Sequence, residues 1–363
     1  MSGNYEAGIA GSQTITKLEV SKRSSHNTAS NLNPELCLRS RSSFVVAADM
    51  RAAVVTAPGK IEIIRAEVPN PGPHELLVRI AGCGVCASNL PAWEGKPWFT
   101  YPMPFGALGH EAWGQVAKVG SAVRDFEKND RVVIVSSHAY ADYDICDASC
   151  AVKISSTLNA QPMPGEPLGC AMNIFSRSKI CKNDIVAIVG IGFLGALLTR
   201  LATAIGARVI AVSRREASFD LAREMGAMHV VPLAVGIDEV KKLTNGRFCD
   251  VVIECTGKQQ PLDVAGEMTR ERGRLVIAGY HQDGSRQINM QLWNWRGLDV
   301  INAHEREPRV YVAGIRRAMR AIEAGVLKPT PLYTHFFPLE KLADALNTAA
   351  SRPRDFIKAV IIT

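Results

Sequence analysis

The sequence predicts an α/β chain made of a small β-barrel-like unit and a doubly wound parallel sheet. Three observations carry that expectation. From residue 50 to about 135, short β-runs are punctuated by Gly and Pro. From about 181 to 305, apolar strands alternate with helical stretches, the sequence form of a parallel sheet. Where the second pattern begins, IVAIVGIGFLGALLTRLA (185–202) sets Gly190, Gly192 and Gly195 in G-x-G-x-x-G spacing between a strand and a helix.

Residues 1–49 hold nine serines, five Lys/Arg and four Asp/Glu without apolar periodicity, so disorder is expected there and folding from Met50. A targeting peptide is the alternative, and its acidic residues oppose it. Strands are expected at RAAVVT (51–56), IEIIRAEV (61–68), ELLVRIAGCG (75–84), EAWGQVAKVG (111–120) and RVVIVSS (131–137). In the second region, IVAIVG (185–190), RVIAVS (208–213), HVVPL (229–233), DVVIECTG (250–257) and RLVIAGY (274–280) read as strands. Helices are expected between them at 217–227 and 261–273. Amphipathic helices at 311–325 and 339–350 precede a closing strand, IKAVIIT (357–363).

The bulk numbers exclude several classes. A net charge of +7 without a dense Lys/Arg block gives no nucleic-acid footprint. The longest apolar stretch, 185–198, is broken by glycines and too short to span a bilayer. Nine scattered cysteines do not form a secreted disulfide framework, so a reducing cytoplasm is expected.

The glycine turn predicts a dinucleotide. Gly190 permits the turn, Gly192 lets the backbone approach a pyrophosphate, and Gly195 lets helix and sheet pack closely. The helix start at Phe193 and Leu194 offers free N–H groups to the anion. The next strand ends in Ser213-Arg214-Arg215, where an NAD-binding chain carries an acidic residue. Ser and two Arg suit a 2′-phosphate, which predicts NADP(H). Thr256, Gly279 and His281 follow later strands, whose C-terminal ends face the crevice. His281 is read as a nicotinamide or substrate contact, or as an exposed turn residue.

GCGVCASN (82–89), GHEAWGQVAKVGSAV (109–123), EPLGC (166–170) and the glycine turn, in that order, resemble the zinc-containing medium-chain alcohol dehydrogenases over essentially all of 50–363. The resemblance implies a GroES-like catalytic domain (50–180), a Rossmann domain (181–307) and a C-terminal return to the catalytic domain (308–363). It also implies a small alcohol or ketone substrate, and a homodimer or homotetramer joined through Rossmann edge strands, for which 298–303 is the candidate.

By the same resemblance Cys86 and His110 are ligands of one catalytic zinc, and Glu111 is a ligand or an alternating carboxylate beside it. A thiolate, an imidazole and a carboxylate form a set that zinc accepts with a position left open. The remaining ligand is Glu166, favoured because E-P-L marks the sorbitol and threonine dehydrogenase branch, or Cys170. Ser88 takes the position of the proton-relay hydroxyl. Asn89 replaces the usual Asp and is expected to bond His110 without a carboxylate's charge. Only Cys146 and Cys150 stand where the family's structural zinc needs four cysteines, so no second zinc is expected. The implied activity is NADP(H)-linked oxidation of a secondary alcohol or polyol. The rivals are a metal-free quinone or enoyl reductase, and a non-catalytic NADPH-binding protein.

Overall fold

The computed structural model describes residues 49–158 and 161–363. The expected disorder of 1–49 lies outside the described residues, apart from Asp49, which opens the first strand one residue before the expected start.

The elements run β1 (Asp49–Ala57), β2 (Lys60–Glu67), β3 (Glu75–Gly84), a one-turn α1 (Leu90–Trp93), β4 (Glu111–Val119), β5 (Arg131–Ile134), β6 (Tyr143–Asp147), β7 (Ala151–Lys153) and α2 (Gly165–Ser178). Next come β8 (Ile185–Val189), α3 (Phe193–Ala204), β9 (Arg208–Ser213), α4 (Phe219–Glu224), β10 (His229–Pro232), α5 (Gly236–Leu243), β11 (Cys249–Glu254), α6 (Gln259–Met268), β12 (Thr269–Ile277), α7 (Met290–Trp295) and β13 (Asp299–Asn302). The chain closes with α8 (Pro308–Glu323), β14 (His335–Pro338), α9 (Leu342–Ser351) and β15 (Ala359–Ile362).

The parallel sheet has the order β10-β9-β8-β11-β12-β13. Its crevice opens where the order reverses, beside β8, at the carboxyl ends of the strands. All five residues of β8 are buried, as expected of a strand covered on both faces. β13 is an edge, with Val300 exposed on it. No helix among the described residues is long and apolar enough to cross a membrane.

The β-rich part has the order β14-β15-β3-β4-β5-β7, with β6 also pairing β3 and a separate β1-β2 ladder. β14 and β15 return from the C-terminus, and β15 lies antiparallel against Gly82–Gly84 of β3. α2 crosses α8 at Gly169 and Gly314. A Cβ on Gly314 would lie 2.6 Å from the Gly169 carbonyl, so small residues set how closely the two helices approach.

Three expectations are corrected. The helix expected over 261–273 stops at Met268, where the Thr269 hydroxyl bonds the Ala265 carbonyl at 2.8 Å and β12 begins. The helix expected over 217–227 shrinks to Phe219–Glu224 after a 3₁₀ turn. Strands β6 and β7, unmarked in the sequence, are short segments fixed by pairing with distant β3 and β5.

Candidate functional site

The β3–β4 register sets Gly84 opposite Glu111. A Cβ on Gly84 would stand 1.9 Å from Glu111 Oε2, so glycine leaves the space this carboxylate occupies. The chain then turns through Cys86, and His110 immediately precedes Glu111. One ligand atom from each of Cys86, His110 and Glu111 lies within 4.8 Å of the others. A soft sulfur, an imidazole and a carboxylate oxygen at this spacing fit a zinc ion.

His110 Nδ1 donates to the Leu108 carbonyl at 2.9 Å. That fixes the ring so that Nε2 lies 3.4 Å from Ser88 Oγ. Burial opposes a charge on this ring, but the Cys86 thiol, then the Glu166 and Glu111 carboxylates, push its pKa up to about 10.

Asn89 does not bond His110 as expected. Its Nδ2 donates to the same Leu108 carbonyl at 3.0 Å, and its Oδ1 accepts from the Cys86 N–H at 3.2 Å and from the Tyr140 hydroxyl at 3.0 Å. Asn89 thus positions Cys86 directly and reaches His110 only through a shared carbonyl. Leu108 presents that carbonyl from a left-handed backbone, φ 73°.

Lys358 is a partner the sequence reading missed. Its Nζ lies 2.6 Å from Oε1 and 2.5 Å from Oε2 of Glu111, with both side chains buried. Burial works against its charge, yet Glu111 and Cys86 together raise its pKa. The only signal was a lysine inside the apolar run IKAVIIT.

At the start of α2, the Cys170 thiol donates to Glu166 Oε1 at 3.1 Å, a pair set by helical i,i+4 spacing. Burial raises the Glu166 carboxyl, with His110 pulling the other way. Neither residue belongs to the close triple, and both act electrostatically on it.

At the glycine turn the backbone takes the positions that its spacing requires. Gly190 has φ 99°, open to glycine but strained for other residues, and a Cβ on Gly195 would meet the Gly190 carbonyl at 2.0 Å. A Cβ on Gly192 would meet nothing within 4 Å, so the space over it is free for a pyrophosphate. Phe193 opens α3 and stacks on Tyr333 at 5.8 Å between centroids. Leu194 is partly buried behind it. Lys358 Nζ lies 5.2 Å from the Phe193 ring centroid, joining the glycine turn to the candidate metal cluster.

Two further residues occupy roles other than those expected. Arg215 donates to the carbonyls of Phe356 at 3.1 Å, Pro353 at 2.9 Å and Arg354 at 3.0 Å, so its guanidinium braces the C-terminal loop. Ser213 is buried, and its Oγ accepts from the Arg215 N–H and the Ser218 hydroxyl. Arg214 stays exposed.

His281 has both ring nitrogens engaged. Nε2 donates to buried Glu254 at 2.8 Å, and Nδ1 accepts from Arg286 at 3.0 Å. Glu254 also accepts from the N–H groups of Thr256 and Gly257 and from the Thr256 hydroxyl. Its neighbour Gly279 approaches so closely that a Cβ would lie 2.1 Å from Gly257 N. Tyr280 is 42% exposed and packs edge-on against His304. Trp93 is buried and its indole N–H donates to Asn347 Oδ1 at 2.9 Å.

Residues 72–170 match the alcohol dehydrogenase GroES-like domain, and residues 194–317 match the zinc-binding dehydrogenase domain. The chain is 27% identical to sorbitol dehydrogenase of Ovis aries over 84% of its own length and 94% of the relative. It is 23% identical to L-galactonate-5-dehydrogenase of Escherichia coli K12, covering 86% and 98%. A zinc-binding dehydrogenase of Sinorhizobium meliloti 1021, solved bound to NADP, superposes with TM-score 0.75 at 26% identity, covering 87% of this chain and 100% of that one. Both domain matches fall in the order the fold requires, one on the sheet that carries Cys86 and His110 and the other on the sheet behind the glycine turn. The chain therefore belongs to the zinc-containing medium-chain alcohol dehydrogenases, a family of oxidoreductases.

Proposed function

We propose that the chain is an NADP(H)-dependent zinc dehydrogenase that interconverts a secondary alcohol or polyol with its ketone. The observation that carries this reading is the close triple of Cys86, His110 and Glu111, tied to the dinucleotide cradle through Lys358 and Phe193. Zinc, when bound there, supplies Lewis acidity that acidifies a substrate hydroxyl near neutral pH. Ser88 takes up the hydroxyl proton and passes it toward solvent, its Oγ being within reach of the His110 edge. Lys358 holds the Glu111 carboxylate in place, while Tyr280 and His304 bound the substrate side. NADP⁺, when bound over Gly192, supplies the hydride acceptor.

Glu166 is favoured over Cys170 as the further metal-site residue, because burial beside the Glu166 carboxylate keeps the Cys170 thiol protonated, donating a hydrogen bond to Glu166 Oε1. For the coenzyme, Arg214 stands exposed where β9 ends, and no carboxylate occupies the end of that strand. The exposed edge of β13 is compatible with pairing to a second copy. Metal analysis of the purified protein, with NADP⁺ and NAD⁺ reduction measured over a panel of polyols and secondary alcohols, tests the reading. Zinc-free protein that remains active would put the metal-free reductase in its place.

A further inference from the structure

Coenzyme discrimination extends beyond the loop that follows β9. Arg352 ends α9, a helix that packs against β14 and β15 in the β-rich part of the chain. Its backbone is left-handed, φ 49°, which turns the chain back toward the end of β9. There the Arg215 guanidinium grips the carbonyls of Pro353, Arg354 and Phe356 and fixes the loop in place. The side chains of Arg352, Arg214 and Arg215 come close enough to act on one another electrostatically. Among the described residues, neither Arg214 nor Arg352 has a hydrogen bond or ion pair to its guanidinium.

Like charges gathered together repel, and an anion placed between them relieves the repulsion. The position identifies the anion, because the end of the second strand of a dinucleotide-binding sheet is where the adenosine ribose lies. We propose that Arg352 completes the 2′-phosphate site, the phosphate being held between Arg214 on the parallel sheet and Arg352 from the C-terminal return. This rests on the NADP(H) reading above and adds that both parts of the chain read the coenzyme. A phosphorylated coenzyme would then bridge them, and an unphosphorylated one would not.

The test is calorimetric titration of the full chain with adenosine 2′,5′-bisphosphate and with AMP. Wild type is expected to bind the bisphosphate at least roughly tenfold more tightly than AMP. Arg352→Asn and Arg352→Gly both suit a left-handed backbone, so the fold is kept. Each should weaken bisphosphate binding by roughly fivefold to tenfold and leave AMP binding within about twofold. Bisphosphate affinity unchanged in both variants but lost in Arg214→Gln would overturn the proposal and leave the NADP(H) reading standing. Wild type binding the two ligands equally would overturn both.

Discussion

The ammonium of Lys358 lies 2.6 Å from Glu111 Oε1, in a pair buried between the last strand of the chain and the first residue of β4. The two positions are 247 residues apart, so the folded C-terminus neutralises a carboxylate of the candidate metal site. A buried pair of this kind gives little net stability, but losing one partner strands the other.

Lys358→Met should therefore destabilise the protein by about 3–5 kcal/mol, because Glu111 is left charged and unpaired in the interior. Adding Glu111→Gln should recover a substantial part of the loss. Urea denaturation of the single and double variants checks this, and a double variant no more stable than Lys358→Met would refute the pairing.

Metal content should be one zinc per chain, held by the triple that contains Cys86 and His110. His110→Ala should abolish binding of that ion. Chelation should stop turnover while NADPH binding, followed by fluorescence, is retained, since the Gly192 cradle shares no side chain with the triple. Loss of NADPH binding on chelation would contradict the separation of the two sites.

Glu166→Gln should lower zinc affinity or alcohol turnover at least about tenfold, as loss of a carboxylate at or beside a metal does. Cys170→Ala should cost only about 1 kcal/mol of stability with zinc retained. The reverse pattern would make Cys170 the ligand and withdraw the polyol preference.

Stability should depend on pH through Glu254. Burial alone would raise its carboxyl, but His281 and Thr256 together hold it below the usual carboxylate value. A depressed native pKa contributes stability that is complete above the unfolded value of about 4.3 and fades as pH falls through the native value. Glu254→Gln should then cost about 2–3 kcal/mol at pH 7. The gap from wild type should narrow as pH falls below about 4, which thermal melts across pH 2.5–7 would check. A gap constant over that range would show that the carboxylate charge plays no part.

Much of this arrangement was legible in the sequence because it depends on local pattern. Strands β3 and β9 occupy 75–84 and 208–213 as expected, since turn residues bound both runs. The glycine turn could be read because its spacing is itself the geometry. Lys358 could not, because nothing near Glu111 in the chain announces a partner just ahead of the final strand. His281 was engaged instead by Glu254, because a buried carboxylate 27 residues away in the chain gave no local sign of pairing with it. Asn89 was placed in the right neighbourhood but on the wrong acceptor, because the left-handed turn at Leu108 was invisible in the sequence.

That turn at Leu108 carries one more consequence. A leucine held at φ 73° carries about 1–3 kcal/mol of backbone strain that glycine would not. Its carbonyl nevertheless aims both the His110 ring and the Asn89 amide. Thermal robustness and the aim of a candidate ligand are thus set in opposition at a single position. Engineering the enzyme for heat tolerance by relaxing this loop would trade away the fixed orientation of its imidazole, and selection for activity would be expected to restore the strain.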